Sequence, residues 1–446
     1  MSSERFIPFR KADVVSMCND VLINKETADA DSTATSFEVF CNLLVSRIHF
    51  QYHEQLERLK NSYSLFDPNK DTRTLKDITD RERKAVQKDF ASEFSTLLDS
   101  ANFEKVTDTD LEDALHEESL FKVRLAVSFD DFQEVVFYRR GESVKTETLR
   151  TFFGLRKKSI SFTNYDRVAV YITFKDKDYF DQRKNTKKQL PVGFTPGATI
   201  IKLFQNVPKA DLEMLFPNSE VKMRPLDKLI IGASATVGGI VVLVTKLGAS
   251  ILLLSSFLAF WLGLKDESVE LTKQSLITFG IGMGVFGSFV FKEWTKFKNR
   301  KIRFMKALSD NLYFKNLDNN AGVFHTLVDA AEEEDCKEAL LAYTFLLKHE
   351  GAGMSADELD KEIEAWFEQT HNCTLDFDVS DAIDKLVKMK LVETKPEETK
   401  LVETKLVETG LVARKLVDKN NERFTAKPLK NAINELDEYW DNIYQV

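Results

Sequence analysis

LIIGASATVGGIVVLVTKLGASILLLSSFLAFWLGL, residues 229–264, carries one ionisable side chain, Lys246, and LITFGIGMGVFGSFVF, residues 276–291, carries none. Elsewhere the chain is dense with charge, since 30% of its 446 residues are Asp, Glu, Lys or Arg. A buried core helix seldom exceeds about 20 residues, whereas crossing a hydrocarbon core of roughly 30 Å takes about that many. Residues 229–291 are therefore expected to leave water as a transmembrane hairpin. As a single helix, residues 230–264 would run about 52 Å at roughly 1.5 Å per residue, so a break or a steep tilt is required. Two spans (237–264 and 275–291) and three (breaking at Lys246-Leu247-Gly248) both satisfy the lengths.

Charge selects between them. Lys222, Arg224 and Lys228 precede the apolar region, and Lys292, Lys296, Lys298, Arg300, Lys301, Arg303 and Lys306 follow it, while the link 265–273 is mixed. Positive flanks stay on the untranslocated side. Both outer flanks then share a side, which needs an even number of spans. The expectation is an integral membrane protein with both termini on one side, cytosolic or matrix-like. Gly280, Gly284 and Ser288 form a small-residue row suited to close helix packing. The formal GxGxxG at 282–287 lacks the strand before it and the acidic residue after it that dinucleotide binding requires.

The flanks read as α+β. Residues 1–118 are expected to be helical, with apolar periodicity over Phe37–Asn61 and Asp80–Leu98; residues 119–228 hold β-prone runs that suggest a small, mostly antiparallel sheet. Residues 292–350 are expected to continue as a basic juxtamembrane helix and a further helix capped by Asn320. Within 351–446, Ser355-Ala356-Asp357-Glu358 has the form of a capping box and Asp378 caps the next helix, giving a winged-helix-like order. The decaying Leu-Val-Glu-Thr-Lys repeat at 391–419 has a period of five that fits neither helix nor strand, and reads as a low-complexity insert.

Composition excludes more than it assigns. Net charge is −9, and residues 351–446 hold 13 Lys and Arg against 21 Asp and Glu, so nucleic acid is not expected as a partner. Cys18, Cys41, Cys336 and Cys373 are scattered without a CxxC, which fits neither a zinc site nor a disulfide framework. Met1–Arg10 has no apolar signal core, so targeting is expected from the apolar region. Asp67-x-Asn69-x-Asp71 lacks the glycine and glutamate that a calcium loop needs at positions six and twelve. His49 and His53 share a helix face but lack further ligands, and Glu332-Glu333-Glu334-Asp335 reads as a solvated face. No catalytic, cofactor-binding or metal-binding set emerges, so the chain is read as non-enzymatic and needing no cofactor.

The seven cations of residues 292–306, interleaved with Trp294, Phe297, Phe304 and Met305 against the single acid Glu293, are the candidate lipid-binding residues. The expected partners are a lipid bilayer, anionic headgroups, and a protein partner or a second copy of the chain. The expected function is a membrane-anchored scaffold or binding protein, the alternative being an oligomeric small-solute channel or transporter.

Several strings carry a resemblance: Glu4-Arg5-Phe6-Ile7-Pro8, Phe66-Asp67-Pro68, Phe137-Tyr138-Arg139-Arg140-Gly141, residues 153–158, Tyr165-Asp166-Arg167-Val168, residues 211–217, residues 312–320 and residues 338–343. In these the chain resembles the transmembrane protein 143 family of uncharacterised integral membrane proteins. The resemblance implies a membrane protein of an organelle such as the mitochondrion, without established chemistry. It draws attention to Arg139, Arg140, Gly141, Asn316, Asp318, Asn319 and Asn320 as surface candidates. Bottom-up, Gly141 also serves a tight turn and Asn320 a helix cap.

Overall fold

The computed structural model describes residues 5–22, 30–73, 75, 78–107, 109–111, 124–127, 129–151, 156–182, 195–218, 220–222, 233, 236–242, 244–245, 248–264, 273–349, 353–396 and 422–443. By contacts the chain divides into two compact units that interleave in sequence. One comprises residues 1–107, 131–207 and 316–446, the other residues 108–130 and 208–315.

The first unit is α+β. Its sheet has five strands in the order β1 (Glu104–Lys105), β3 (Phe132–Thr151), β4 (Arg156–Phe174), β5 (Thr199–Pro208) and β7 (Asn316–Asn319). The long β3–β4 ribbon is antiparallel from Phe132↔Phe174 to Thr151↔Arg156. Its helices are α1 (Lys11–Leu22), α2 (Ala30–Tyr63), α3 (Asp80–Ser100), α4 (Lys177–Gln182), α7 (Ala321–Lys348), α8 (Ala356–His371), α9 (Val379–Lys388) and α10 (Leu429–Asn442). Helix α7 lies at the centre, with buried residues around its whole circumference from Val323 to Leu346. A helix apolar on all sides must be enclosed, and α1, α2, α3, α8 and α9 enclose it.

Aromatic side chains lock helices and sheet together. Phe90 and Phe94, one turn apart on α3, stack at 5.9 Å, and Phe324 of α7 meets both edge-on at 5.8 and 6.0 Å. Tyr63 of α2 and Tyr171 of β4 complete the cluster, and such pairs contribute about 0.5–1.5 kcal/mol each beyond their buried area.

In the C-terminal part α8, α9 and a two-stranded hairpin follow one another, closed by α10. Ser355 caps α8 and Glu358 returns the bond, a complete capping box. Asp378 accepts from the Asp381 N–H to cap α9, and β8 (Val392–Pro396) pairs antiparallel with β9 (Glu422–Ala426). A bridge from Met354 to Phe424 ties this hairpin to the start of α8. Of the repeat at 391–419, only its opening residues are described, as part of β8; residues 397–421 lie outside the described residues.

The second unit holds a small antiparallel pair, β2 (Arg124–Ala126) with β6 (Glu220–Lys222), a 3-10 helix (Lys209–Leu215), α5 (Gly248–Trp261) and α6 (Lys273–Lys315). The expected transmembrane hairpin is corrected here. Among the described residues, no helix is long and apolar enough to cross a membrane. Helix α5 is described over Gly248–Trp261, and residues 236–242 and 244–245 before it are also helical. Its end is a backbone decision that hydropathy does not register. Gly263 adopts φ +71, its N–H donates to the Phe260 carbonyl, and the Leu264 N–H donates to the Ala259 carbonyl, a paired C-terminal cap that stops the helix. The second apolar run forms no span of its own. It is the first part of the 43-residue α6, diluted by Gly280, Gly282, Gly284, Gly287 and Ser288 and continuous with the cationic run. The hairpin, the integral membrane placement and the shared side for both termini are withdrawn with it. Lys246 and most of 223–235 lie outside the described residues.

Candidate functional site

Residues 291–306 form one uninterrupted stretch of α6 and sort its side chains onto two faces. Lys292, Lys296, Arg300 and Arg303 follow one another at four, four and three residues, with Lys306 three further on, and so share a stripe. Phe291, Trp294, Phe297, Ile302 and Met305 fall on the other side, all exposed, Phe291 at 71% and Trp294 at 66%. Lys298 projects from among these aromatic residues and is exposed, while the side chain of Lys301 lies outside the described residues. Glu293 pairs with Lys296 at 2.5 Å. An apolar stripe beside a cationic one, both open to solvent, is the pattern of a helix that lies in an interface. Upstream, Gly280, Gly284 and Ser288 are exposed, and a Cβ built on Gly280 or Gly284 would meet nothing within 4 Å. The close approach in this unit is at Gly238, whose Cβ position lies 3.1 Å from the Phe289 ring.

The motif residues of the first unit are joints in the fold. Arg140 donates from Nη1 to the Ala101 carbonyl at 3.1 Å, just past α3, and its guanidinium lies over the rings of Phe6 (5.2 Å) and Phe103 (5.4 Å). Burial pulls its pKa down from the usual arginine value, against the pull of Glu334. Arg139 pairs with Glu104 at 3.1 Å and with Glu142, and lies 5.3 Å over Tyr165. Gly141 sits at φ +72, where a Cβ would come 2.6 Å from Asp166 Oδ2. Asn316, Asp318 and Asn319 belong to β7, where Lys202↔Asn319 and Leu203↔Asp318 are paired and Asp318 also accepts from the Thr326 hydroxyl. Asn320 occupies the expected N-cap position, yet its side chain makes no cap bond. Instead its Oδ1 accepts from the Ile201 N–H at 3.2 Å and its own N–H donates to the Ile201 carbonyl at 2.6 Å, which fastens β5 to the start of α7.

The largest departure from the sequence reading is the acidic run 332–335. Glu334 is 3% exposed and Asp335 4%, with Lys337 and Glu338 equally buried. The N-terminal segment around Ile7 and Phe9 is strapped onto them. Ile7 N–H donates to Glu334 Oε2 at 3.0 Å, and Lys337 Nζ donates to the carbonyls of Ile7 and Phe9 and to Glu334. Glu332 takes His49 Nδ1 at 2.8 Å. One turn further round, Asp335 accepts from the Tyr52 hydroxyl at 2.6 Å and pairs with Lys385 Nζ of α9 at 2.5 Å; Lys385 also pairs with Asp381, and Asn102 donates to Glu338 at 3.1 Å. Burying charge without such partners costs several kcal/mol per ion. A warning was present in the sequence. The run is followed by the apolar stretch 339–346, which covers every direction around the helix, and Glu334 and Lys337 are three residues apart, at pairing distance.

Burial raises the Asp335 carboxyl to about 6 and the Glu338 carboxyl to about 8, in each case against the opposing pull of Lys385. Burial alone would lower the Lys385 ammonium, but Asp335, Asp381 and Glu338 together hold it above the usual lysine value. Oxygens of Asp335, Glu338 and Asp381 lie within 4.8 Å of one another, the only such group among the described residues. Three carboxylates so placed could ligate a cation, but Lys385 Nζ already supplies the positive charge. The cluster is a buried ionic knot joining α2, α7 and α9.

A family described as "Protein of unknown function (DUF3754)" matches residues 165–322, a range that includes α6 and Asn316–Asn320 and leaves the ionic knot outside. No solved structure matches the chain.

Proposed function

We propose that this chain is a non-enzymatic binding protein whose α6 lies on surfaces of anionic lipid headgroups without crossing them. The observation that carries the proposal is the pair of stripes at 291–306, with Lys292, Lys296, Arg300, Arg303 and Lys306 on one side and exposed Phe291, Trp294, Ile302 and Met305 on the other. Each cation near an anionic surface contributes about 1 kcal/mol, and the aromatic side chains add apolar burial at headgroup depth. An acidic protein of net charge −9 has no general attraction to such a surface, so binding would have to be local to this helix.

Flotation of the full-length chain with phosphatidylcholine vesicles, with and without phosphatidylserine, tests the proposal. Association is expected only with the serine lipid and is expected to weaken as salt shortens the screening length to about 10 Å at 0.1 M and below. Equal association with both vesicles, or none with either, contradicts it.

A further inference from the structure

A cavity of about 340 Å³ opens between α2, the C-terminal end of α9 and α10, lined by Arg47, Lys388, Lys390, Glu435, Glu438 and Tyr439, with Met389, Asn442 and Ile443 completing the wall. Three observations make this more than a surface dent. The Arg47 guanidinium lies 4.0 Å over the Tyr439 ring, and its Nε is buried without a hydrogen-bond partner. A half-buried guanidinium stacked on a ring, with no hydrogen bond or ion pair to any described residue, suits a planar or tetrahedral oxyanion. Second, of the two carboxylates in the wall, Glu435 is committed to Lys427 at 2.6 Å. Glu435 also feels Arg47 and Lys390, so Arg47, Lys388, Lys390 and Lys427 together meet two carboxylates, Glu435 and Glu438, a local positive excess in an acidic protein.

The third observation is conformational. Helix α9 ends in a Schellman arrangement, with Lys390 N–H on the Val387 carbonyl and Leu391 N–H on the Leu386 carbonyl, both 2.9 Å. The left-handed position of that motif normally belongs to glycine, but here it is Lys390, at φ +61. A lysine held where glycine would be free of strain is a cost that its packing does not explain, because the side chain is exposed at the cavity rim.

We propose that this cavity is a binding site for a small phosphorylated polyol, its phosphate held by Arg47, Lys388 and Lys390 and its hydroxyls by Glu438 and Asn442. The volume lies at the lower end of ligand pockets, roughly 300–1,000 Å³, which suits a molecule of a few carbons. The site belongs to the first unit and is independent of α6.

Calorimetric titration of the full-length chain with glycerol 3-phosphate, inorganic phosphate and glycerol, at matched ionic strength, tests the assignment. The ester is expected to bind saturably, inorganic phosphate more weakly and glycerol not at all. Lys390→Gly relieves the left-handed strain, so it is expected to fold at least as well as the parent while binding the ester about tenfold more weakly, and Arg47→Met is expected to weaken it further. The assignment is overturned if neither phosphate binds, if inorganic phosphate binds as tightly as the ester, or if Lys390→Gly and Arg47→Met both bind like the parent.

Discussion

Lys385 of α9 and Asp335 of α7 meet with Nζ 2.5 Å from Oδ1, the carboxylate buried and the lysine partly so. This contact brings the second helix of the C-terminal helical pair onto the central helix. In a helix–turn–helix arrangement that face would otherwise be open to a partner. Here the one cation in its middle is turned inward and spent on the core.

Removing one side of this pair strands the other. Lys385→Met leaves Asp335 and Asp381 without their cation and is expected to cost about 3–5 kcal/mol, read from the urea midpoint at constant slope. Adding Asp335→Leu should recover much of the loss, because two apolar side chains replace a buried ion pair at little net cost. A single variant as stable as the parent would mean that the pair is not buried as described.

Glu338 gives the knot a pH dependence whose sign is fixed. Its carboxyl sits at about 8 in the folded chain against 4.5 for the free side chain, raised first by burial. The unfolded chain releases this proton where the folded chain still keeps it. The group's contribution is therefore fully present below 4.5 and is lost as pH rises through about 8. Glu338→Gln keeps an acceptor for Asn102 and cannot ionise. It is expected to match the parent in acid and to exceed it in stability above pH 8, in urea midpoints taken across the range. Parallel profiles would contradict the shift.

Gly141 is expected to refuse a side chain. Its φ is +72 and an added Cβ would come 2.6 Å from Asp166 Oδ2, so Gly141→Ala should cost about 1–3 kcal/mol in thermal or urea unfolding. Asp166→Ala in the same background should recover only part, since Asp166 Cβ itself is 3.0 Å away. An unchanged midpoint would contradict a structural role for the glycine.

Local signals in the sequence carried well where the backbone obeys local chemistry. The capping box at Ser355 and Glu358 and the Asp378 cap depend on residues three apart, and both stand as read. Asn320 was legible as the residue before a helix, but its work, holding Ile201 across 119 residues, depends on a tertiary neighbour that no local pattern contains. The acidic run failed for the same reason. Whether Glu334 and Asp335 meet water or Lys337, Tyr52 and Lys385 is decided by packing. The apolar region failed differently. Hydropathy sums side-chain transfer and does not register that Gly263, at φ +71, ends α5 at Trp261. The spacing of Lys292, Lys296, Arg300 and Arg303 by four, four and three is itself the helical period, so α6 carries these four on one face.

The central claim is that this face binds anionic headgroups, and the most direct measurement is the affinity of the full-length chain for phosphatidylserine-containing vesicles before and after neutralising Lys292, Lys296, Arg300 and Arg303 to Gln. At about 1 kcal/mol for each of the four cations, binding should fall by roughly 1,000-fold while the unfolding midpoint stays put. Unchanged affinity in a folded quadruple variant would contradict the account.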